Sequence, residues 1–294
     1  MSDIKFSVVI PLYNKQQSIV NTILSVFKQS YQNFEIVIID DGSTDSSVDA
    51  VKSISDERIR LIHQENQGVS AARNRGIKEA SYEWIAFLDG DDLWESNHLE
   101  EIVKMMKIFP NEKVYTTSFE YSDKRKMFKH ERSSPIFKID NYFKEAIKEN
   151  LLWTSIIVVH KECFNEVGLF NINFNRGEDL DLWARLAKKF TIIKSSDVTA
   201  IYRVDAENRT NLSKNLDKCN YYYFSLDVLN NGSEREYYKI FLFNRLLDYF
   251  FAGEFRVFLK LIGRYSSVKK VDFLKFASRS IFFIFLKKFK SLIK

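Results

Sequence analysis

Three clusters of polar residues each follow a short apolar run in the first third of the chain. They are Pro11-Leu12-Tyr13-Asn14 after residues 6–10, Asp40-Asp41-Gly42-Ser43 after residues 34–39, and Asp89-Gly90-Asp91-Asp92 after residues 84–88. Continuous apolar runs are typical of strands buried on both faces of a parallel sheet. Because ligands of such sheets bind at the carboxyl ends of the strands, we expect five Asp residues and one exposed Tyr at one edge.

The chemistry of five neighbouring carboxylates indicates a bound cation. Carboxylates that share one edge repel one another unless positive charge offsets them. Hard cations such as Mg²⁺ or Mn²⁺ take oxygen ligands, and Mg²⁺ is usually held by one or two carboxylates together with substrate phosphates. A single cluster of this kind is often only a turn, because Asp and Gly form turns readily. Three clusters at successive strand ends favour a site for a metal-bound phosphate substrate.

Arg73 falls at an unusual position in a helix predicted over residues 68–80. At about 100° per residue, it lies on the apolar side with Ala72 and Gly76, whereas Arg75 lies on the opposite side. A guanidinium on a buried face needs an acceptor. That acceptor is either an Asp of the sheet edge or a base or phosphate of a nucleotide.

The elements that must position these residues alternate between strands and helices. Helical spacing of apolar residues predicts helices over residues 17–29, 45–53, 68–80, 97–109, 140–150 and 178–190, and apolar runs predict further strands over 114–119, 153–160 and 198–202. This alternation predicts an α/β fold with a mainly parallel sheet. Gly177-Glu178-Asp179 opens the last helix, where the helix dipole alone would favour acids. From about residue 206, the Phe/Tyr-rich chain has only helical periodicity.

Composition excludes several classes of function. The 294 residues are 45% apolar and 28% charged, as in ordinary soluble proteins. Two Cys and four His show no metal-ligand spacing, and neither Gly-x-Gly-x-x-Gly nor Gly-Lys-Ser/Thr occurs, which argues against zinc enzymes, dinucleotide dehydrogenases and P-loop NTPases. Without a signal peptide or an 18-residue apolar stretch, we expect a cytoplasmic location.

Five motifs occur in the order seen in family 2 glycosyltransferases of the GT-A fold. They are Val8-Val9-Ile10-Pro11-Leu12-Tyr13-Asn14, Asp40-Asp41-Gly42-Ser43-Thr44-Asp45, Gly68-Val69-Ser70-Ala71-Ala72-Arg73-Asn74, Phe87-Leu88-Asp89-Gly90-Asp91-Asp92 and Gly177-Glu178-Asp179. Residues 4–205 resemble this family. The resemblance implies a Rossmann-like catalytic domain over residues 1–205, with a nucleotide-binding half over 1–95 and an acceptor half over 96–205. Residues 206–294 would form a helical, basic, Phe-rich C-terminal region.

The resemblance also implies a role for each matching residue. Those expected to bind the nucleotide sugar are Pro11, Tyr13, Asp40, Asp41, Arg73 and Asp89. Asp91 matches the ligand of Mn²⁺ or Mg²⁺ on the diphosphate, and Asp179 matches the catalytic base. The family often ends its core with Tyr-Arg-x-His, whereas Tyr202-Arg203-Val204 is followed here by Asp205, which could ligate the metal instead.

The function implied by the resemblance is inverting transfer of a sugar, most often from a UDP-sugar, to a saccharide or lipid-linked saccharide. In bacterial relatives such reactions build cell-surface polysaccharides, including lipopolysaccharide. Two alternatives stay open. A sugar-phosphate nucleotidyltransferase is expected to have a Gly-rich phosphate loop near the first strand, and the segment Tyr13-Asn14-Lys15 is not such a loop. An inactive GT-A protein could bind saccharide or membrane only.

The net positive charge of the chain comes from its C-terminal region. Residues 253–294 hold eleven Lys or Arg and two acids, a net charge of +9, which leaves −4 for residues 1–252. A helical plot of residues 265–294 separates a basic side from a Phe-rich side that includes Phe273, a pattern that suits the membrane interface. We therefore expect peripheral binding to the inner face of the cell membrane. Packing on the catalytic domain is the alternative, and the absence of a recognition motif argues against nucleic acid.

Overall fold

The computed structural model describes residues 4–208, 212–226, 229, 232–265, 272, 273, 275, 276 and 278. The chain divides into two compact units, residues 1–210 and 211–294. The strands are β1 Phe6–Leu12, β2 Phe34–Asp41, β3 Ile59–Gln64, β4 Trp84–Phe87, β5 Leu93–Trp94, β6 Val114–Tyr121, β7 Ile136–Lys138, β8 Ile157–His160 and β9 Ile192–Tyr202. The helices are α1 Ile19–Phe27, α2 Ser47–Lys52, α3 Val69–Glu79, α4 His98–Ile108, α5 Tyr142–Ala146, α6 Cys163–Val167, α7 Glu178–Lys189, α8 Ser233–Phe251 and α9 Phe255–Arg264.

The first four long strands form the parallel part of the sheet. The order is β3-β2-β1-β4, and Phe6 of β1 pairs with Phe34 of β2 on one side and with Trp84 of β4 on the other. The carboxyl ends of β1, β2 and β4 therefore lie side by side. The three polar clusters of the sequence follow these three strands.

The two faces of β1 are covered by different helices. Val8 and Ile10 belong to the same apolar core as Ile23 of α1. Val9 points the other way and packs against Gly76 of α3, where a Cβ atom would lie 2.2 Å from Val9 Cγ1. Because successive side chains of a strand point to opposite faces, burial on both faces requires the continuous apolar run that the sequence shows.

The rest of the sheet is mixed. β8 lies antiparallel between β4 and β6, which returns β6 to the direction of β1, and β9 pairs parallel with β6. β5 and β7 both run antiparallel to β9. In the described part of the chain, six of the nine strands thus share one direction. This arrangement, with helices on the sheet and a helical C-terminal region, confirms the predicted α/β fold class.

Several elements differ from their predictions. The short elements β5, β7 and α6 were not predicted, and β9 begins at Ile192 and not at residue 198. β3 is absent from the predicted elements because its residues are mostly half-buried and include Arg60 and His63, so no apolar run marks it. The helix predicted over residues 140–150 is confined to α5. The strand predicted from residue 153 begins only at Ile157, because residues Thr154–Ile156 form a 3₁₀ turn.

The second unit is built on α8 and α9. Its apolar core includes Leu246 and Leu261, together with Phe273, whose ring centroid lies 5.5 Å from that of Phe243. Most of the amphipathic helix predicted over residues 265–294 lies outside the described residues. Within it, the assignment of Phe273 to a membrane-facing side is wrong, because this ring is buried in the core of the unit. No described helix combines the length and the apolar character needed to cross a membrane.

Candidate active site

The turn at residues 89–92 packs against the end of β1. Gly90 comes so close to this strand that a Cβ atom would lie 3.0 Å from the carbonyl oxygen of Pro11. Next to it, Lys15 Nζ donates to Asp91 Oδ2 at 2.6 Å. Burial raises the pKa of Asp91, and the Lys15 ammonium opposes this shift. The structure thus brings the first and third clusters together and adds Lys15, which was not among the predicted site residues.

Asp92 is the last residue of this turn and connects it to neighbouring segments. Its side chain is buried, Oδ2 accepts a hydrogen bond from Ser155 Oγ at 2.7 Å, and Oδ1 accepts one from the backbone N–H of Arg203 at 3.1 Å. Ser155 Oγ also accepts from the backbone N–H of Asp89 at 3.1 Å. Burial, together with the negative charges of Asp89 and Asp91, raises the pKa of Asp92 well above its ordinary value.

Asp40 and Asp41 end β2 and are both buried. Asp41 accepts three hydrogen bonds: from a side-chain amide of β3 at 2.7 Å and from the backbone N–H groups of Gln67 and Gly68 at 2.9 and 2.8 Å. Asp40 accepts from the backbone N–H of Ser43 at 3.1 Å. These two carboxylates therefore fix the loops that border the strand ends, including the loop that leads into α3.

The segment after β9 returns to the end of β1. The side chain of Asn208 donates to the carbonyl oxygen of Tyr13 at 3.1 Å, while the Tyr13 side chain is 38% exposed. The Glu207 carboxylate accepts from the backbone N–H groups of Gln17 and Ser18 at 3.0 and 3.1 Å, which satisfies donors at the start of α1. Glu207 lies about 190 residues away in sequence, and no pattern in the sequence points to this contact.

Asp205 lies close in sequence to Glu207 but has different contacts. Its side chain is 66% exposed, and Oδ2 lies 3.4 Å from Arg203 Nη2. Within residues 4–208, no contact joins Asp205 to Asp91 directly, so its role as a metal ligand stays a prediction.

The donor set around Asp91 fits a cation that is held mainly by a substrate. Among the described residues, no three His, Cys, Asp or Glu side chains are grouped to hold a metal by themselves. Asp91 Oδ2 nevertheless holds a positive charge, the Lys15 ammonium, so this oxygen is placed to accept a cation. One or two carboxylates with phosphates and water are the usual ligands of Mg²⁺.

Arg73 joins two of the predicted motifs. Its Nη2 donates to Asp89 Oδ1 at 2.7 Å and its Nη1 donates to Glu178 Oε1 at 3.0 Å, with the Arg73 side chain only 5% exposed. Burial opposes the charge of Arg73, but the carboxylates of Asp89 and Glu178 raise its pKa above the ordinary value. The acceptor that its position in α3 requires is therefore an Asp of the sheet edge, together with a Glu of α7.

Asp179 follows Glu178 in the first turn of α7. The helix starts after Gly177, whose φ of 73° lies in the left-handed region that favours glycine. Burial, aided by the charge of Glu178, raises the pKa of Asp179 to about 7, while Arg73 opposes the shift. Its carboxylate can therefore exchange a proton near neutral pH, which is what a general base requires.

Comparison with known proteins identifies the family. A sequence profile described as Glycosyl transferase family 2 matches residues 7–168, which is more than half of the chain. The chain belongs to glycosyl transferase family 2. The matched region holds the three polar clusters and Arg73, and it ends before Asp179.

Relatives and solved structures agree with this assignment. An uncharacterized glycosyltransferase of Rickettsia bellii is 32% identical over 234 residues, 79% of this chain but 33% of the relative, so the chain spans about a third of that protein. The Escherichia coli UDP-Glc:alpha-D-GlcNAc-diphosphoundecaprenol beta-1,3-glucosyltransferase WfgD is 43% identical over 107 residues, 36% of this chain and 42% of WfgD. The crystal structure of S. aureus TarS 1-349 with UDP aligns with a TM-score of 0.60 at 18% identity, covering 91% of this chain and 73% of TarS. That likeness confirms the GT-A fold.

Proposed function

We propose that this family 2 glycosyltransferase moves a sugar from a UDP-sugar to a hydroxyl group of a saccharide acceptor, with inversion at the anomeric carbon. The observation that carries the proposal is the double ion pair of Arg73, which holds Asp89, in the turn at residues 89–92, close to Glu178 and Asp179. Transfer requires a base for the acceptor hydroxyl close to the residues that bind the sugar donor. The UDP bound in the crystal structure of TarS supports the choice of nucleotide.

The nucleotide would occupy the ends of β1 and β2. The exposed ring of Tyr13 is available for stacking on uracil, and Pro11 lies two residues before it, in β1. A carboxylate has about four lone-pair sites. Because Asp41 uses three of its sites on the protein, one is left for an N–H group of the base, with Asp40 beside it. Asp89, held by Arg73, would contact the ribose or the sugar.

Asp179 would act as the general base. The acceptor oxygen attacks the anomeric carbon from the face opposite the diphosphate, and its proton passes to the Asp179 carboxylate. As the new carbon–oxygen bond forms, the bond from the anomeric carbon to the diphosphate oxygen breaks, and its electron pair leaves with UDP. A base with a pKa of about 7 is ionised often enough at neutral pH to accept the proton, a contribution of about 10²–10⁴ in rate.

Asp91 would hold Mn²⁺ or Mg²⁺ through Oδ2, with Asp89 nearby and the diphosphate supplying further oxygens. Such a cation, when bound, offsets the negative charge that develops on the leaving diphosphate. Asp205 would supply a second ligand of the cation; in this structure its Oδ2 lies 3.4 Å from Arg203 Nη2.

The acceptor would be a saccharide, or a lipid-linked saccharide, used to build a cell-surface polysaccharide, with residues 121–180 shaping its side of the cleft. The printed name of WfgD, which includes a diphosphoundecaprenol acceptor, supports a lipid-linked substrate. The family assignment favours this function over sugar-phosphate nucleotidyl transfer.

A lipid-linked acceptor would place the enzyme on the inner face of the cell membrane. The exposed face of α9 supports this part of the proposal, because it carries both apolar and basic side chains. Phe255 and Leu259 are 54% and 64% exposed, and Arg256 and Lys260 are exposed beside them. An apolar edge next to a basic edge suits an anionic lipid surface.

The experiment that tests the donor and the metal is release of UDP from a panel of UDP-sugars, with Mn²⁺ or with excess EDTA. We expect slow release from one sugar nucleotide with Mn²⁺ and loss of that release with EDTA or in Asp91→Ala. Release that continues unchanged in EDTA would contradict the metal, and no release from any donor would contradict the activity.

A further inference from the structure

Lys15 supplies the positive charge that pairs with Asp91 in the acidic turn at residues 89–92, whereas Arg73 pairs with Asp89. Its ammonium group has three N–H donors and three acceptors: Asp91 Oδ2 at 2.6 Å, the carbonyl oxygen of Glu207 at 2.5 Å and that of Asn208 at 3.4 Å. The Lys15 and Asp91 side chains are only 13% and 18% exposed. Lys15 is therefore a mostly buried residue with defined hydrogen-bond partners, unlike an exposed lysine in a surface ion pair.

The backbone of Lys15 is anchored from the neighbouring loop. Its N–H donates to Ser47 Oγ at 2.7 Å, and the preceding N–H of Asn14 donates to Ser43 Oγ at 3.1 Å. Asn14 adopts a φ of 52°, which turns the chain sharply after β1. These contacts leave the stem of Lys15 directed to the end of β4, where Asp91 lies.

A divalent cation on Asp91 Oδ2 would lie next to the Lys15 ammonium that this oxygen already accepts. A ligand oxygen lies about 2.0–2.1 Å from Mg²⁺, so a metal on Oδ2 would stand within reach of the ammonium that now binds there. Two positive charges at that separation repel strongly unless further negative charge is present. The diphosphate of the donor would bring that charge, and its oxygens are acceptors for the ammonium.

We infer that Lys15 competes with the divalent cation for Asp91 Oδ2 and passes to the donor's diphosphate when cation and nucleotide bind together. The inference rests on the proposed function, because it takes Asp91 as the metal ligand. Its consequence is a coupling: the cation binds weakly to the protein alone and much more tightly once UDP is present. Lys15 is thus a binding residue for the diphosphate and the cause of ordered metal binding.

The test measures Mn²⁺ affinity of the full chain by electron paramagnetic resonance of free Mn²⁺, with and without UDP. Lys15→Met keeps the length of the stem but removes the charge, whereas Lys15→Arg keeps a cation. Without UDP, we expect Lys15→Met to bind Mn²⁺ about tenfold more tightly than the wild type. The increase in Mn²⁺ affinity that UDP causes should be about tenfold smaller in this variant than in the wild type. Lys15→Arg should stay close to the wild type.

Two further variants separate this inference from the proposed function. Lys52→Met removes an exposed lysine at the end of α2 and should leave Mn²⁺ affinity unchanged. Asp91→Asn should lose Mn²⁺ binding under all conditions, and if it does not, the proposed metal ligand is wrong. If Asp91→Asn loses Mn²⁺ binding but Lys15→Met binds Mn²⁺ no more tightly than the wild type without UDP, the competition is refuted. The same conclusion holds if neither the wild type nor Lys15→Met binds Mn²⁺ without UDP. Thermal unfolding of each variant by circular dichroism confirms that it is folded.

Discussion

Asp179 has a pKa near neutrality because of where its carboxylate lies. Burial and the charge of Glu178 favour the protonated form, whereas Arg73 favours the ionised form. The balance leaves the pKa at about 7, far above the ordinary value of 3.8. Since the folded state holds this proton up to about pH 7, the same shift lowers stability as the pH rises from about 4 to 7.

The pH dependence of transfer should report this group. A base acts only when ionised, so kcat should rise as the pH increases through about 7 and then level off. Measured initial rates of UDP release between mildly acidic and mildly alkaline pH, at saturating donor and Mn²⁺, check this. A rate that is already maximal at the ordinary pKa of an aspartate would contradict the assignment.

Arg73 should matter for both stability and the pH profile. Arg73→Met leaves the half-buried carboxylate of Asp89 and the buried carboxylate of Glu178 without their partner, which costs at most about 3–5 kcal/mol of unfolding free energy. It also removes the charge that lowers the pKa of Asp179, so the pH profile should move to higher pH. Arg75→Met, which removes an exposed pair with Glu79, should cost at most about 1 kcal/mol and leave the profile in place.

Helix α3 must lie close to the sheet in order to carry Arg73 into the site. Gly76 permits this approach because it leaves room for Val9 of β1. Gly76→Ala would place its Cβ 2.2 Å from Val9 Cγ1, and Val9 is fully buried in a central strand. The helix or the strand would have to shift, and with it the contacts of Arg73.

We expect Gly76→Ala to lower the unfolding free energy by about 1–3 kcal/mol, as overpacking of a core does. Lys78→Ala, on the exposed side of the same helix, should change it by about 0.5 kcal/mol or less. Unfolding in urea can be followed by tryptophan fluorescence, because all four Trp residues lie before residue 211. Equal stability of the two variants would show that α3 can move without cost.

Much of the fold was predictable because its signals are local. The apolar runs of β1, β2 and β4 and the Asp-rich turns after them are continuous in sequence, and so is the position of Arg73 on the apolar side of α3. Contacts between distant segments were not predictable. Ser155 lies just before β8 and Glu207 follows β9, so both are far in sequence from the residues that they contact, and the half-buried residues of β3 show no apolar run.

The prediction of a Phe-rich, membrane-facing side in the second unit is wrong for Phe273. A basic, Phe-rich region does follow the catalytic unit, but Phe273 is in its core. Among the described residues of this unit, several exposed apolar side chains lie earlier, at the end of α8 and on α9, where the rings of Phe250 and Phe255 are 5.6 Å apart. The proposed membrane contact therefore rests on the exposed side chains of α8 and α9.

Replacing Phe255 and Leu259 together by Ser should weaken binding to vesicles that contain phosphatidylglycerol, because each loses apolar area that would enter the interface. Co-sedimentation at low salt measures this. Ile172→Ser in the first unit, which removes a side chain that is 62% exposed, serves as the control and should not change the bound fraction. If the wild type does not sediment, or if the double variant sediments equally well, the membrane surface is not on α9.

In the proposed mechanism, Asp179 removes the proton of an acceptor hydroxyl during transfer from a UDP-sugar. The most direct measurement is the rate of sugar transfer by Asp179→Asn, with UDP affinity measured alongside and with Asp181→Asn, whose partner is Arg185 on the same helix, as the matched control. We predict that Asp179→Asn loses about 10²–10⁴ in rate while UDP affinity stays within a few fold, and that Asp181→Asn keeps near-wild-type transfer. If Asp179→Asn transfers sugar at close to the wild-type rate, Asp179 is not the general base.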